Sequence, residues 1–236
     1  MRLVRAVALV LACAAAALPA LAGDPGQIDA YVTPYYNSSG PSVHVGLYSA
    51  GLATKNQAAL VATIRRMKKQ WNDLNFAELY VGAIRLYDFG FRNEATYWFY
   101  TAQYRGRQFA ALADQKKLGS IGDPSFELYH AQNAFFELVG PNVNGFAFGN
   151  VDLLVTIVRR VQHENRNVGN LRAIYPGAAF VPTSQWQAKN ARINSGLGDL
   201  ADQMASRKSE IARERAQNGT EARFAHLNST PFPGGY

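Results

Sequence analysis

Tyr97-Trp98-Phe99-Tyr100 stands inside a stretch with helical punctuation. Four consecutive side chains of a helix point to every side of it, so four consecutive bulky aromatics leave no face for water. Such a helix has to be surrounded, and the rest of the chain must supply the elements that surround it. Cys13 is the single cysteine, and it falls in the apolar leader described below. The enclosure therefore has to come from side-chain packing and not from disulfides.

The flanking sequence reads as helices with clear stops and starts. Thr54 with Gln57 reads as a capping box, followed by Leu60, Val61, Ile64, Met67 and Trp71 at helical spacing. Asn75 with Glu78 starts a second helix, whose stripe is Leu79, Tyr80, Ala83, Ile84 and Tyr87, and Gly90 is placed to end it. The aromatic helix follows over about 93–117, with the same rules giving its ends. Asp123-Pro124 opens another, expected to run from Phe126 to Val139 and to stop at Gly140-Pro141. A loop with an Asn144-Gly145 turn is expected next. Asn150 then caps a helix carrying Leu153, Leu154, Ile157, Val158 and Val161. Residues 167–182 read as a long loop. A last helical region spans 184–216, weakened at Gly196 and Gly198, with Gly219 as its stop. Residues 24–53, rich in Gly, Pro, Ser and Tyr, read as irregular, with a short extended piece near Ser42–Val45.

The expectation is an all-α fold: a single compact domain of about six helices packed as helical hairpins, with an irregular extended N-terminal segment. In domain terms, residues 1–22 are a leader, 23–219 the helical domain, and 220–236, ending Pro-Phe-Pro-Gly-Gly-Tyr, a disordered tail.

Tyr87-Asp88-Phe89-Gly90, Ala95, Trp98-Phe99, Ala102 and Gly106 carry one resemblance. Over about residues 79–106 the second and third helices resemble a single tetratricopeptide-type hairpin of the Sel-like subtype. Leu79 and Ile84 depart from it, standing where that family has small residues, and the loop after Gly90 is shorter. The resemblance implies that Ala83, Ala95 and Ala102 lie at the contact between the two helices. It also implies that Trp98 and Phe99 fill the space towards neighbouring elements. Hairpins of this family are generally scaffolds for protein–protein contact.

The N-terminus implies export. Arg2 and Arg5 precede an apolar run from Ala6 to Leu21, and Ala20-Leu21-Ala22 offers small residues before Gly23-Asp24. That order reads as a secretory signal peptide cut near Ala22, and the run is short for a bilayer span. Lipidation at Cys13 is the alternative; Leu11 stands where that pattern has a small residue. A periplasmic or secreted protein with no membrane span in its mature form is expected. The chain carries a net charge of +7, and losing Arg2 and Arg5 leaves a modest basic excess. An exported chain is not expected to meet nucleic acid; anionic lipid, cell wall or an acidic protein are the partners such an excess suits, and ordinary solvated helix faces explain it without any of them.

Catalytic motifs are missing. His44, His130, His163 and His226 lack the spacings of zinc sites, no Gly-x-Ser-x-Gly elbow occurs, and Gly145-Phe-Ala-Phe-Gly149 lacks a phosphate loop's lysine. Ser42 and His44 share a face of an extended piece without a third member. Glu78, Asp88, Glu94, Glu127, Glu137 and Asp152 stand mostly at helix ends, where capping explains them. Neither a metal nor a cofactor is expected. Tyr35, Tyr36 and Asn37, in a loop, are the candidate binding residues, because loop tyrosines are rigid and amphipathic. The functional expectation is an exported, non-enzymatic protein-binding module, such as an inhibitor, immunity factor or adaptor. The alternative is an enzyme acting on envelope or cell-wall material.

Overall fold

A computed structural model describes residues 24–28, 31–32, 42–43 and 45–234. Among them are α1 (Ser49–Leu52), α2 (Gln57–Lys69), α3 (Phe76–Asp88), α4 (Arg92–Leu112), α5 (Pro124–Ala147), α6 (Val151–Glu164), α7 (Leu171–Ile174), α8 (Trp186–Ser206), α9 (Lys208–Gln217) and α10 (Thr220–Phe224). The fold is all-α. The six helices of 13 residues or more, α2 to α6 and α8, build the core. The remaining regular structure among the described residues is four short 3₁₀ turns, an isolated bridge between Ala113 and Phe180, and a parallel pair, β1 (Tyr31–Val32) on β2 (Ser42–Val43).

α4 is the axis, as its aromatic run demands. Tyr97, Trp98, Phe99 and Tyr100 are all buried, with none more than 3% exposed. α3 lies along α4 as the most extensive helix pair, α5 covers another side, and α6 with α8 closes the rest. The seam between α3 and α4 is close because of Gly82: a Cβ there would stand 2.5 Å from the Trp98 ring. Ala83, Ala95 and Ala102 are wholly buried.

α3 begins where expected. Asn75 Oδ1 accepts from the Glu78 N–H at 2.9 Å, and Glu78 Oε2 accepts from the Asn75 N–H at 2.8 Å, a reciprocal box. Burial raises the Glu78 carboxyl above its ordinary value, opposed by the Asn75 hydrogen bond and by Arg105. A carboxyl raised in the folded state holds its proton more tightly folded than unfolded. Its ionisation therefore detracts from stability, and the fold gains as pH falls through the glutamate range. Glu78→Gln keeps an acceptor for Asn75 without the charge. At neutral pH it is expected to match the parent or exceed it by up to about 0.5 kcal/mol. Acidification should move the difference in the parent's favour, read from urea midpoints at neutral and acidic pH.

α3 stops at Gly90, whose φ is +82°. Phe91 N–H reaches Leu86 O at 2.9 Å and Gly90 N–H reaches Tyr87 O at 3.0 Å, the paired bonds of a left-handed helix end. Gly90→Ala forces a Cβ into that conformation. It should cost about 1–2 kcal/mol, measured as a fall in the urea midpoint with an unchanged slope.

Four boundaries depart from the sequence reading. The cap of α2 is Asn56, whose Oδ1 accepts from Ala59 N–H at 3.0 Å; Thr54 instead accepts from Asn56 N–H. Asn caps as well as Thr, and here its backbone is extended. α4 ends at Leu112 and not near Lys117. α5 runs through Gly140-Pro141 to Ala147, so Asn144-Gly145 is helix and not a turn. Phe135, Val139, Val143 and Ala147 are buried at every fourth position, and this apolar stripe outweighs the roughly 3 kcal/mol cost of an interior proline. Tyr100 OH donating to Asn144 Oδ1 at 3.0 Å and Arg215 Nη1 donating to Gly145 O at 2.8 Å hold the second half from outside. The last helical region continues through Gly196 and Gly198 and breaks at Arg207.

Both outer segments return to α3 and α4. Tyr87 OH donates to Pro25 O at 2.8 Å, and Ile28 N–H donates to Asp88 Oδ1 at 2.8 Å. From the other end, Thr230 N–H donates to Gly90 O at 2.9 Å, and buried Phe232 meets Phe91 edge to face at 5.4 Å. Arg92 joins the two, its Nη1 donating to Asn228 O at 2.6 Å and its Nη2 to Gly26 O at 3.3 Å. Residues 220–234, which composition alone assigns to a tail, are thus placed against the body. No helix among the described residues is long and apolar enough to cross a membrane.

Candidate functional site

The C-terminal ends of α2 and α6 flank the first turns of α4. Between them lies a cleft of about 610 Å³, lined by Lys68, Trp71, Asn72, Tyr97, Arg160, His163, Glu164, Arg166, Asn167 and Gly234. This volume suits a small ligand or a few side chains of a larger one.

One wall is a stack of flat groups. Trp71 lies on Tyr97 with ring centroids 5.3 Å apart and planes 10° from parallel. The Arg160 guanidinium carbon stands 4.1 Å from the Tyr97 ring centre. Each layer is fixed from behind. Buried Arg105 donates from Nη1 to Trp71 O at 2.7 Å and to Leu74 O at 2.8 Å, locking the 3₁₀ turn Trp71–Asp73. Trp98 meets Trp71 edge to face at 5.0 Å. Tyr97 OH donates to Glu164 Oε2, and Arg160 Nε donates to Glu164 Oε1 at 2.8 Å. Burial first, then the Glu164 carboxylate, push the Tyr97 phenol far above its ordinary value, so it stays a donor. For Arg160, burial works against the charge, but the Glu164 hydrogen bond and neighbouring charges outweigh it and hold the guanidinium above its ordinary value.

Beneath the wall is Glu94, 3% exposed, which accepts from Lys68 Nζ at 2.7 Å and from Trp98 Nε1 at 2.8 Å. Lys68 Nζ also sits 4.7 Å from the Phe232 ring centre, so the C-terminal strap that carries Phe232 leads Gly234 into the lining.

The opposite lip, residues 165–167, is set by Asn190 of α8, which is wholly buried. Its Nδ2 donates to Asn165 O at 3.1 Å and Arg166 O at 3.0 Å. Its Oδ1 accepts from Tyr104 OH and from Gln108 Nε2, each at 2.8 Å. Arg166 Nε donates to His163 O at 3.0 Å, and its Nη2 lies 2.9 Å from His163 Nε2.

The carboxylate of the cleft, Glu164, is engaged by the Tyr97 phenol and the Arg160 guanidinium, with His163 beside them in the lining. Among the described residues no group of three or more His, Cys, Asp or Glu is placed to hold a metal ion. Among the described residues, the large apolar side chains left largely exposed are Leu47 and Ile121, both outside the cleft, and isolated ones carry no docking argument.

Of the catalytic, metal and binding candidates weighed from sequence, His163 lies in the cleft; Trp71 and Tyr97, read there only as apolar positions of helices, line it too. Tyr35, Tyr36, Asn37 and His44 lie outside the described residues. His130 is exposed on α5 beside Phe126, at 4.4 Å between ring centres, and His226 is exposed. Asp152 is paired with Lys208, and Asp88 with Arg85. Trp71, Tyr97 and Arg160 had no motif to mark them; the Lys/Arg density at the end of α2 and the repeated Arg of 159–166 were the available signals. Compared with protein-family models, curated proteins and solved structures, the chain matches none.

Proposed function

We propose that the chain is an exported, non-enzymatic protein-binding module of a bacterial envelope, an inhibitor, immunity factor or adaptor, which receives part of its partner in this cleft. The Trp71–Tyr97–Arg160 stack carries the reading. Trp, Tyr and Arg dominate binding hot spots, and a wall stacked in advance loses little side-chain freedom on association. The leader pattern and the hairpin resemblance at 79–106 support export and protein contact respectively.

The test is capture from an envelope extract by the chain beginning at Gly23, with partners identified by mass spectrometry. A specific partner should be enriched by the parent and lost with Trp71→Ala, with both proteins showing the same helical circular dichroism. Enrichment of no protein, or of the same proteins by Trp71→Ala, overturns the reading. N-terminal sequencing of exported material should begin near Gly23; a chain starting at Met1, or a lipid on Cys13, overturns the leader assignment.

One observation favours an envelope-acting enzyme, namely the hydrogen-bonded Tyr97–Glu164 pair next to His163. Release of soluble fragments from cell-wall material by the parent, abolished in Glu164→Gln, would establish it.

A further inference from the structure

We infer that the outward face of α2, with the turn Gly46–Tyr48 beside it, docks the protein on an anionic lipid surface. The inference is independent of the cleft and of what the cleft receives.

Charge is unevenly spread along the chain. Between Asp29 and Asp73 no acidic residue occurs, while Lys55, Arg65, Arg66, Lys68 and Lys69 all fall there. Of the 24 lysines and arginines, two stand in the leader and five in this segment; the remaining 17 equal the 17 acids. The basic excess of the chain beyond its leader is thus the charge of one segment. An excess gathered in one place acts on a charged surface as a scattered one does not.

α2 turns that segment into a face. Leu60, Ile64 and Met67 are buried in the core. With ~3.6 residues per turn, Arg65, Arg66 and Lys69 fall on the opposite side, together with the small, neutral Ala58 and Ala62. Lys68 is turned inward to Glu94 and is not part of the set. Lys55, Arg65, Arg66 and Lys69 are all exposed, and among the described residues no carboxylate pairs with any of them. The two arginines bond to carbonyls, which leaves their charge uncompensated: Arg65 Nη2 to Pro233 O at 3.1 Å and Arg66 Nη2 to Leu47 O at 3.0 Å.

That second bond joins the cations to an apolar tip. Leu47 is 70% exposed, and alone it would carry nothing. Its turn is fastened to α2, however. Arg66 holds the Leu47 carbonyl, the Arg66 guanidinium carbon stands 5.1 Å from the Tyr48 ring centre, and Tyr48 OH donates to Gln70 Oε1. Leu47 is therefore held out beside the cations and not left loose. An apolar side chain projecting from a cationic, acid-free face matches the two layers of an anionic membrane surface. Phosphates meet the cations, and the acyl boundary beneath them receives the leucine.

The experiment is co-sedimentation of the chain from Gly23, which lacks the apolar leader, with two kinds of vesicle. One is phosphatidylcholine mixed with phosphatidylglycerol, the other phosphatidylcholine alone. The chain should bind the first and not the second, and added salt should weaken the binding. Lys69→Glu changes one exposed charge and should weaken it by about tenfold or more. Leu47→Ser should weaken it by about fivefold. Ile121→Ser removes a side chain 86% exposed on another loop and should bind as the parent does. Circular dichroism should show the same helix content in all four proteins. Equal binding to the two vesicles, unchanged binding in Lys69→Glu or Leu47→Ser, or a matching loss in Ile121→Ser overturns the inference. So does a chain that ignores both vesicles but captures a protein through Lys69, since the face would then be a protein contact.

Discussion

Trp98→Ala is expected to lower stability by about 3–5 kcal/mol. The indole is fully buried and fills three roles at once. It lies against Gly82 so closely that α3 has no room for even a methyl group there. It supports Trp71 edge to face. Its Nε1 donates to the buried Glu94 carboxylate at 2.8 Å, so truncation opens a cavity and strips a donor from a buried charge. Urea denaturation of Trp98→Ala and Trp98→Phe reads the effect. The alanine variant should melt far earlier, with phenylalanine in between because it refills part of the volume but restores no donor. A Trp98→Ala midpoint equal to the parent's would show that the aromatic run is not core.

Asn190→Asp should cost roughly 3 kcal/mol or more, although it changes a single atom. The amide nitrogen that donates to the carbonyls of Asn165 and Arg166 becomes an oxygen facing two oxygens. The new charge would also be buried, since Asn190 has no exposed surface, and Tyr104 and Gln108 are its available donors. Because these bonds fix the lip that carries Arg166, the variant should lose cleft binding at temperatures where it is still folded. Stability and capture of the partner from an envelope extract, measured together, check both halves. Unchanged capture would mean that the lip holds its shape without Asn190.

Local punctuation made much of the fold legible. Asn75 with Glu78, Gly90, Asp123-Pro124 and Asn150 each act on the backbone within a turn of themselves, so a reader of sequence sees cause and effect together. The aromatic run was legible for a similar reason, since no helix could leave it exposed. Pro141 was misleading because its local cost is opposed by a stripe from Phe135 to Ala147 and by donors from α4 and α9. Gly82 was passed over in favour of Ala83, since periodicity shows which face is inward but not which position meets a large ring. The cleft was not legible at all. Its residues come from 68–72, Tyr97, 160–167 and Gly234, and the atom that sets one lip belongs to Asn190, inside a helix that presents as ordinary. A site assembled from segments so far apart leaves no spacing to recognise.

Arg92 has a consequence for the order in which the molecule forms. α3 and α4 are joined through Phe89–Phe91, so their pairing closes a very short loop and belongs among the early events of folding. Arg92 opens α4, yet its two amino groups wait for Gly26 and Asn228, which stand nearly the whole described chain apart. Those contacts require almost all the intervening chain to be drawn in first. The strap that leads Gly234 to the cleft is therefore a late arrival in folding and an early departure in native-state opening. Amide exchange should run faster at its Thr230 N–H than in α4, so that Gly234 and Tyr97, which share the lining of one cleft, come from the least persistent segment of the protein and from its most persistent helix.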